Sequence, residues 1–167
     1  MFDFFLNHLR TLGWQVERLD RPVSLPEAVT VRALPPVFLD WLHTVRRVVR
    51  SDETAWFLCA EDYAGHTGTA FRWNEWELLS LESAGGDAAW RREIRGFWER
   101  HFPILLSVDG TYAYYAIDLE DGSIVCGEEP EFEECSVIAS SFPAFLEDIL
   151  CGRSSLSSTT ANSPAPK

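Results

Sequence analysis

Carboxylates are the side chains of this sequence whose number and spacing could do chemistry. Five of them fall within residues 128–134, where only Pro130 and Phe132 interrupt the acidic run. Glu61 with Asp62, or Glu75 with Glu77, could also form the acid/base pair of a hydrolytic site. Nothing in the sequence separates these carboxylates from solvated ones, and no GxSxG nucleophile motif is present. We therefore predict a protein that is not an enzyme.

Metal and phosphate motifs fit poorly. The run 65–69 lacks the lysine and the spacing of a phosphate-binding loop. The segment 118–122 resembles the start of a calcium loop, but its glycine stands at the fifth position instead of the sixth, and a hairpin turn explains it better. The four histidines form no HExxH or i, i+4 pair, and the four cysteines lack zinc-site spacing. We predict no cofactor, no metal and reduced thiols.

The net charge of −12 is concentrated in one third of the chain. Residues 101–152 hold eleven acids and no lysine or arginine, whereas residues 1–100 are nearly balanced. Since phosphate binding needs clustered basic residues, nucleic acid is excluded as a direct ligand. A basic protein partner fits this charge instead. The candidate partner-binding residues are Asp118, Glu120, Asp121, Glu128, Glu129, Glu131, Phe132, Glu133 and Glu134.

Two questions about this segment stay open at the level of sequence. Phe132 is either an aromatic anchor for the partner or a plug that packs into the core from an edge. The whole stretch is either the rim of a binding surface, stiffened by Pro130, or an ordinary solvated loop.

Hydrophobic periodicity indicates the elements that position these residues. Apolar residues from Phe2 to Leu12 recur at helical spacing and stop at Gly13. The remaining predictions for the N-terminal two thirds are a helix over 35–48, a strand over 54–59, a loop over 61–69, a strand over 71–81 and a helix over 87–101 capped by Asp87.

The C-terminal third carries the clearest signals. Asp-Gly pairs at 109–110 and 121–122 separate β-rich runs and predict a three-stranded antiparallel meander. A strand over 137–139 follows, then a helix capped by Ser140 or Ser141. The prediction is an α+β single domain over 1–151, with an antiparallel or mixed sheet whose C-terminal meander packs against helices. Residues 152–167, rich in Ser and Pro, are expected to be disordered.

The order of five segments, 56–63, 71–76, 97–107, 112–119 and 141–146, resembles the SUKH superfamily. This domain is shared by immunity proteins of bacterial polymorphic toxin systems and a fungal regulator of cell-wall synthesis. The resemblance implies an α+β domain without catalytic residues that neutralises a cognate toxin. One departure is the turn after the early helix, where residues 50–53 replace the Asn-Gly-like element of many relatives.

The expected function is that of an immunity protein that binds a basic toxin domain through its acidic surface, a nuclease domain being one candidate. The alternative is a regulatory or scaffold module for an endogenous partner. The sequence has no basic leader and no apolar run near the roughly 20 residues that cross a bilayer, so we expect a cytoplasmic protein without membrane contact. The oligomeric state stays open.

Overall fold

The computed structural model describes residues 2–65, 71–154 and 156. Its centre is a seven-stranded sheet in which every strand pairs antiparallel with its neighbour in sequence. The strands are β1 (Gln15–Arg18), β2 (Val45–Val49), β3 (Ala55–Phe57), β4 (His101–Ser107), β5 (Ala113–Asp118), β6 (Ile124–Glu128) and β7 (Cys135–Ala139). The sheet order makes β1 and β7 the two edges and confirms the α+β prediction, with an antiparallel sheet.

Helices cover both faces of this sheet. They are α1 (Asp3–Thr11), α2 (Glu27–Thr30), α3 (Pro36–Leu42), α4 (Ala60–Tyr63), α5 (Glu75–Ala84), α6 (Ala88–Arg100) and α7 (Phe142–Leu150). Neighbouring strand residues point to opposite faces. Phe57 therefore meets rings from α1, α3 and α7, while Trp56 stacks on Phe71 beside α5. The fold has an aromatic core on each side of the sheet.

Two predictions for the N-terminal part were wrong. The helix predicted over 35–48 ends at Leu42, and Val45–Val49 forms β2. Its β-branched residues suit a strand, which pairs with β1 and β3. The predicted strand over 71–81 is instead α5, whose Trp76, Ser80 and Ala84 are buried at four-residue spacing. Val45 and Val48 have helical spacing but are buried on opposite faces of β2, so tertiary packing decided that segment.

Local signals elsewhere were confirmed. Asp87 caps α6 by accepting a hydrogen bond from the Trp90 N–H at 3.0 Å. Ser141 caps α7 in the same way from the Ala144 N–H at 3.2 Å. The strand predicted over 137–139 is the second half of β7. These signals succeeded because each depends on a few neighbouring residues.

The meander is also confirmed, but its turns are longer than the two-residue type. Only the glycines of the Asp-Gly pairs take positive φ, 82° at Gly110 and 77° at Gly122. Asp121 instead accepts a hydrogen bond from the Ser123 N–H at 2.8 Å. In the turn over residues 50–53, Glu53 itself adopts φ 60°, a conformation that Asn or Gly takes more readily.

Two further predictions concern the chain ends and loops. One turn of helix, α4, replaces the start of the predicted loop over 61–69, and residues 66–69 lie outside the described residues. Of the predicted disordered tail, Leu156 is 5% exposed and belongs to the core. The rest of that tail beyond 156 is outside the described part. None of the described helices has the length and apolarity needed to span a bilayer.

Candidate functional site

The acidic loop, defined as residues 128–134, connects β6 to β7 and folds over the sheet face that carries α5 and α6. Phe132 is 6% exposed, and its ring lies parallel to that of Trp76, with 5.5 Å between centroids. Its carbonyl accepts a hydrogen bond from the Tyr114 hydroxyl. Phe132 therefore takes the core position that was one of its two interpretations, and its ring is not accessible to a partner.

A glycine at the end of β6 allows this arrangement. A Cβ atom at position 127 would lie 2.5 Å from Oη and 2.7 Å from Cζ of Tyr114. Because such distances are far below van der Waals contact, Gly127 is what lets the Tyr114 ring cross its own partner strand and reach the loop. Burial raises the pKa of Tyr114, so its hydroxyl stays protonated and donates. The sequence signal was a lone glycine inside a strand pattern.

Three of the loop's carboxylates hold the loop in place. Glu129 Oε1 accepts the Tyr112 N–H at 2.8 Å, and Glu133 Oε1 accepts the Trp98 indole N–H at 2.8 Å. Glu128 Oε2 accepts the Thr111 hydroxyl at 3.2 Å. Each of these acids uses one oxygen for structure and keeps the other for a further contact.

The other two carboxylates of the loop, Glu131 and Glu134, are exposed and have no side-chain hydrogen bond or ion pair to any described residue. Only their backbones meet, where the Glu134 N–H donates to the Glu131 carbonyl at 3.0 Å. The loop thus presents two free carboxylates on a backbone that is fixed on either side.

A second acidic group lies at the turn between β5 and β6 and is partly neutralised. Arg100 donates through Nε and Nη2 to the two oxygens of Asp118, at 2.8 and 2.7 Å, and through Nη1 to Glu120 at 2.6 Å. This guanidinium holds the pKa of Asp118 below its usual range. The Asp118 side chain is 6% exposed, so it is not available to a partner.

Sequence reasoning missed this neutralisation for a simple reason. Arg100 is the last residue of α6 and stands one position before the base-free segment 101–152. Arg50 and Arg153 act on the same segment from outside, by pairing with Asp109 and Asp148. The acids of the segment without an ion pair to a described residue are Asp121, Glu128, Glu129, Glu131, Glu133, Glu134 and Glu147.

Two of the carboxylates considered for acid/base chemistry make hydrogen bonds to the backbone of their own helix ends. Asp62 Oδ2 accepts the Cys59 N–H at 2.7 Å and caps α4, and burial raises the pKa of Asp62 to about 6. Glu75 accepts a hydrogen bond from the Arg72 N–H. Among the described residues, no three His, Cys, Asp or Glu side chains come together as metal ligands.

A surface cavity of about 350 Å³ lies between α4 and the start of β2. Its wall is mainly apolar, with the ion pair of Arg46 and Glu61, 3.7 Å apart, at the polar part. Asp62 does not line it. The cavity therefore brings neither candidate carboxylate pair together.

No family model matches this chain, and comparisons with curated proteins and with solved structures give no match. The relation to the SUKH superfamily therefore stays a prediction from the sequence.

Proposed function

We propose that this protein is a non-catalytic immunity protein, acting in the cytoplasm, that binds and neutralises a basic toxin domain through its acidic loop. The observation that carries the proposal concerns Glu131 and Glu134, whose exposed carboxylates pair with no described residue. They lie on a loop that Glu129, Phe132 and Glu133 anchor. A nuclease domain, whose phosphate-binding cleft is basic, is the toxin class that fits this charge.

The anchoring supports binding because it lowers the entropy lost when a partner docks. Neighbouring carboxylates about 7 Å apart in water repel by roughly 0.6 kcal/mol, so the exposed charges cost the free protein little. Next to lysines and arginines the same charges attract, and close interfacial charge pairs have couplings of about 1.5 to 7 kcal/mol. Long-range attraction also accelerates encounter.

Charge substitution at the two free carboxylates tests the proposal. The proposal requires a toxin gene beside the gene of this chain. The domain that such a toxin gene encodes is titrated with wild type, with the double variant Glu131→Gln, Glu134→Gln, and with the control Glu17→Gln, Glu82→Gln. Glu17 and Glu82 are exposed, and their substitution removes the same total charge from other parts of the surface. We expect the loop variant to bind at least about tenfold more weakly and to show a smaller loss of affinity with added salt.

The control should retain wild-type affinity, and growth assays with co-expressed toxin should show the same ranking. Equal affinity and equal salt dependence for wild type and the loop variant would rule out the acidic-loop mechanism. So would an equal loss in both double variants, since total charge alone would then decide binding. A basic, non-toxic partner encoded elsewhere would instead support the regulatory or scaffold module.

A further inference from the structure

The sheet ends in a strand whose outer edge pairs with none of the described residues. β7 is last in the sheet order and bonds to β6 alone. Val137 is 66% exposed and Ile138 is 39% exposed. They are the one adjacent pair among the exposed large hydrophobic residues of the described chain, the others being Phe4, Val31 and Trp90. Apolar surface is therefore concentrated at this edge.

The first four residues of β7 are all exposed, and a bulge interrupts the strand at Ile138. Val125 pairs with Val137 while Ile124 pairs with Ala139, so Ile138 is an extra residue on β7. A bulge of this kind places two neighbouring side chains on one side of the strand and leaves one backbone unit unpaired. The edge of the sheet therefore presents the apolar side chains of Val137 and Ile138 next to each other.

The two edges of the sheet differ in protection. Edge strands usually carry charges or proline, which discourage pairing with another chain. β1 carries the charges of Glu17 and Arg18, and the bulge opposite them is at Arg46 of β2. β7, with the sequence CSVIA, has neither charge nor proline. The bulge at Ile138 is its one protective feature, so β7 is the edge more open to pairing.

We propose that β7 pairs antiparallel with β7 of a second copy of this chain about a twofold axis. Cys135–Ala139 carries no carboxylate, so nothing along the strand selects a basic partner, whereas a second copy offers the same uncharged apolar edge. The twofold contact is self-complementary and closes after two subunits. Pairing of β7 with β1 of another copy would set apolar residues against Glu17 and Arg18 and would continue without closing.

The antiparallel arrangement also keeps the acidic loops apart. Glu134 precedes β7 and Ser140 follows it, so Glu134 of one copy comes to lie beside Ser140 of the other. With full overlap of the strands the two Glu134 residues are six positions apart, which is about 20 Å at the rise of a strand. This exceeds the screening length of about 8 Å at physiological salt. The strand pairing thus brings no carboxylates into contact.

Salt separates this proposal from the proposed function. Each copy carries a net charge of −12, so self-association works against repulsion and should strengthen as salt rises. Binding of a basic toxin should weaken over the same range. The two proposals can therefore be tested, and rejected, independently of each other.

Sedimentation velocity of the full chain under reducing conditions tests the dimer, with the reductant excluding a disulfide through the exposed Cys135. Wild type should form a concentration-dependent dimer, and Val137→Asp should raise its dissociation constant at least about tenfold, since like charges then face each other across the axis. Val31→Asp is the matched control, because Val31 is 63% exposed and lies beyond α2. Urea unfolding confirms that both variants fold.

Hydrogen exchange locates the interface, because amides of β7 should exchange more slowly at high than at low protein concentration. A wild type that stays monomeric at about 300 µM in about 0.5 M NaCl would overturn the proposal. A dimer that Val137→Asp leaves intact, or one without slower exchange in β7, would overturn it as well, since the contact would lie elsewhere.

Discussion

Replacing Phe132 by alanine measures how firmly the acidic loop belongs to the core. The ring is 6% exposed and stacks on Trp76 at 5.5 Å with an interplanar angle of 1°. Truncation of a buried phenylalanine costs about 3 to 5 kcal/mol of unfolding free energy, of which an aromatic pair supplies about 0.5 to 1.5 kcal/mol. Because a loop can partly collapse into the space left behind, we expect a value near the lower limit, about 3 kcal/mol.

The assay is urea unfolding followed by tryptophan fluorescence and by circular dichroism. Phe4→Ala is the matched control, since Phe4 is 74% exposed, and its change should stay within about 0.5 kcal/mol. A loss below about 1 kcal/mol for Phe132→Ala, or equal losses for the two variants, would refute the placement of Phe132 in the core. Phe132 would then again be available as a surface anchor.

Three other substitutions address single contacts. Asp62→Asn keeps the cap of α4 but removes a half-buried charge. Since burial raises the pKa of Asp62 to about 6, the unfolding free energy of wild type should rise as pH falls from 6 towards 4. The variant should lack this rise and should be about 2 kcal/mol more stable than wild type at pH 8. Parallel plots of unfolding free energy against pH for the two proteins would contradict this. Gly127→Ala should lower the unfolding free energy by about 1 to 3 kcal/mol, because the new methyl group displaces the Tyr114 ring. An unchanged unfolding free energy would show that the ring can move aside without loss. Arg100→Gln should lower stability at neutral pH and reduce the further loss below about pH 4, because Asp118 then loses the partner that lowers its pKa; identical acid unfolding curves would exclude this role.

The fold was predictable where signals are short-range. The caps of α6 and α7 depend on residues three positions apart, and the turns of the meander depend on glycines, which adopt positive φ without steric cost. The segment Val45–Val49 could not be assigned in the same way. Val45 and Val48 are three positions apart, which is helical spacing, and both are buried because both faces of the sheet are covered. The pairing of this segment with β1 and β3 decided the matter.

The candidate site, like the fold, was predictable only in part from the sequence. The sequence by itself determined that residues 101–152 are acidic and lack lysine and arginine, because charge follows from composition alone. Which carboxylates are free was decided only by the tertiary structure. Arg100 reaches Asp118 eighteen residues away, and the Trp98 indole reaches Glu133 thirty-five residues away. Hydrogen bonds and ion pairs over such separations form only once the strands and helices have packed. They leave Glu131 and Glu134 as the carboxylates of the acidic loop whose side chains have no hydrogen bond or ion pair to a described residue.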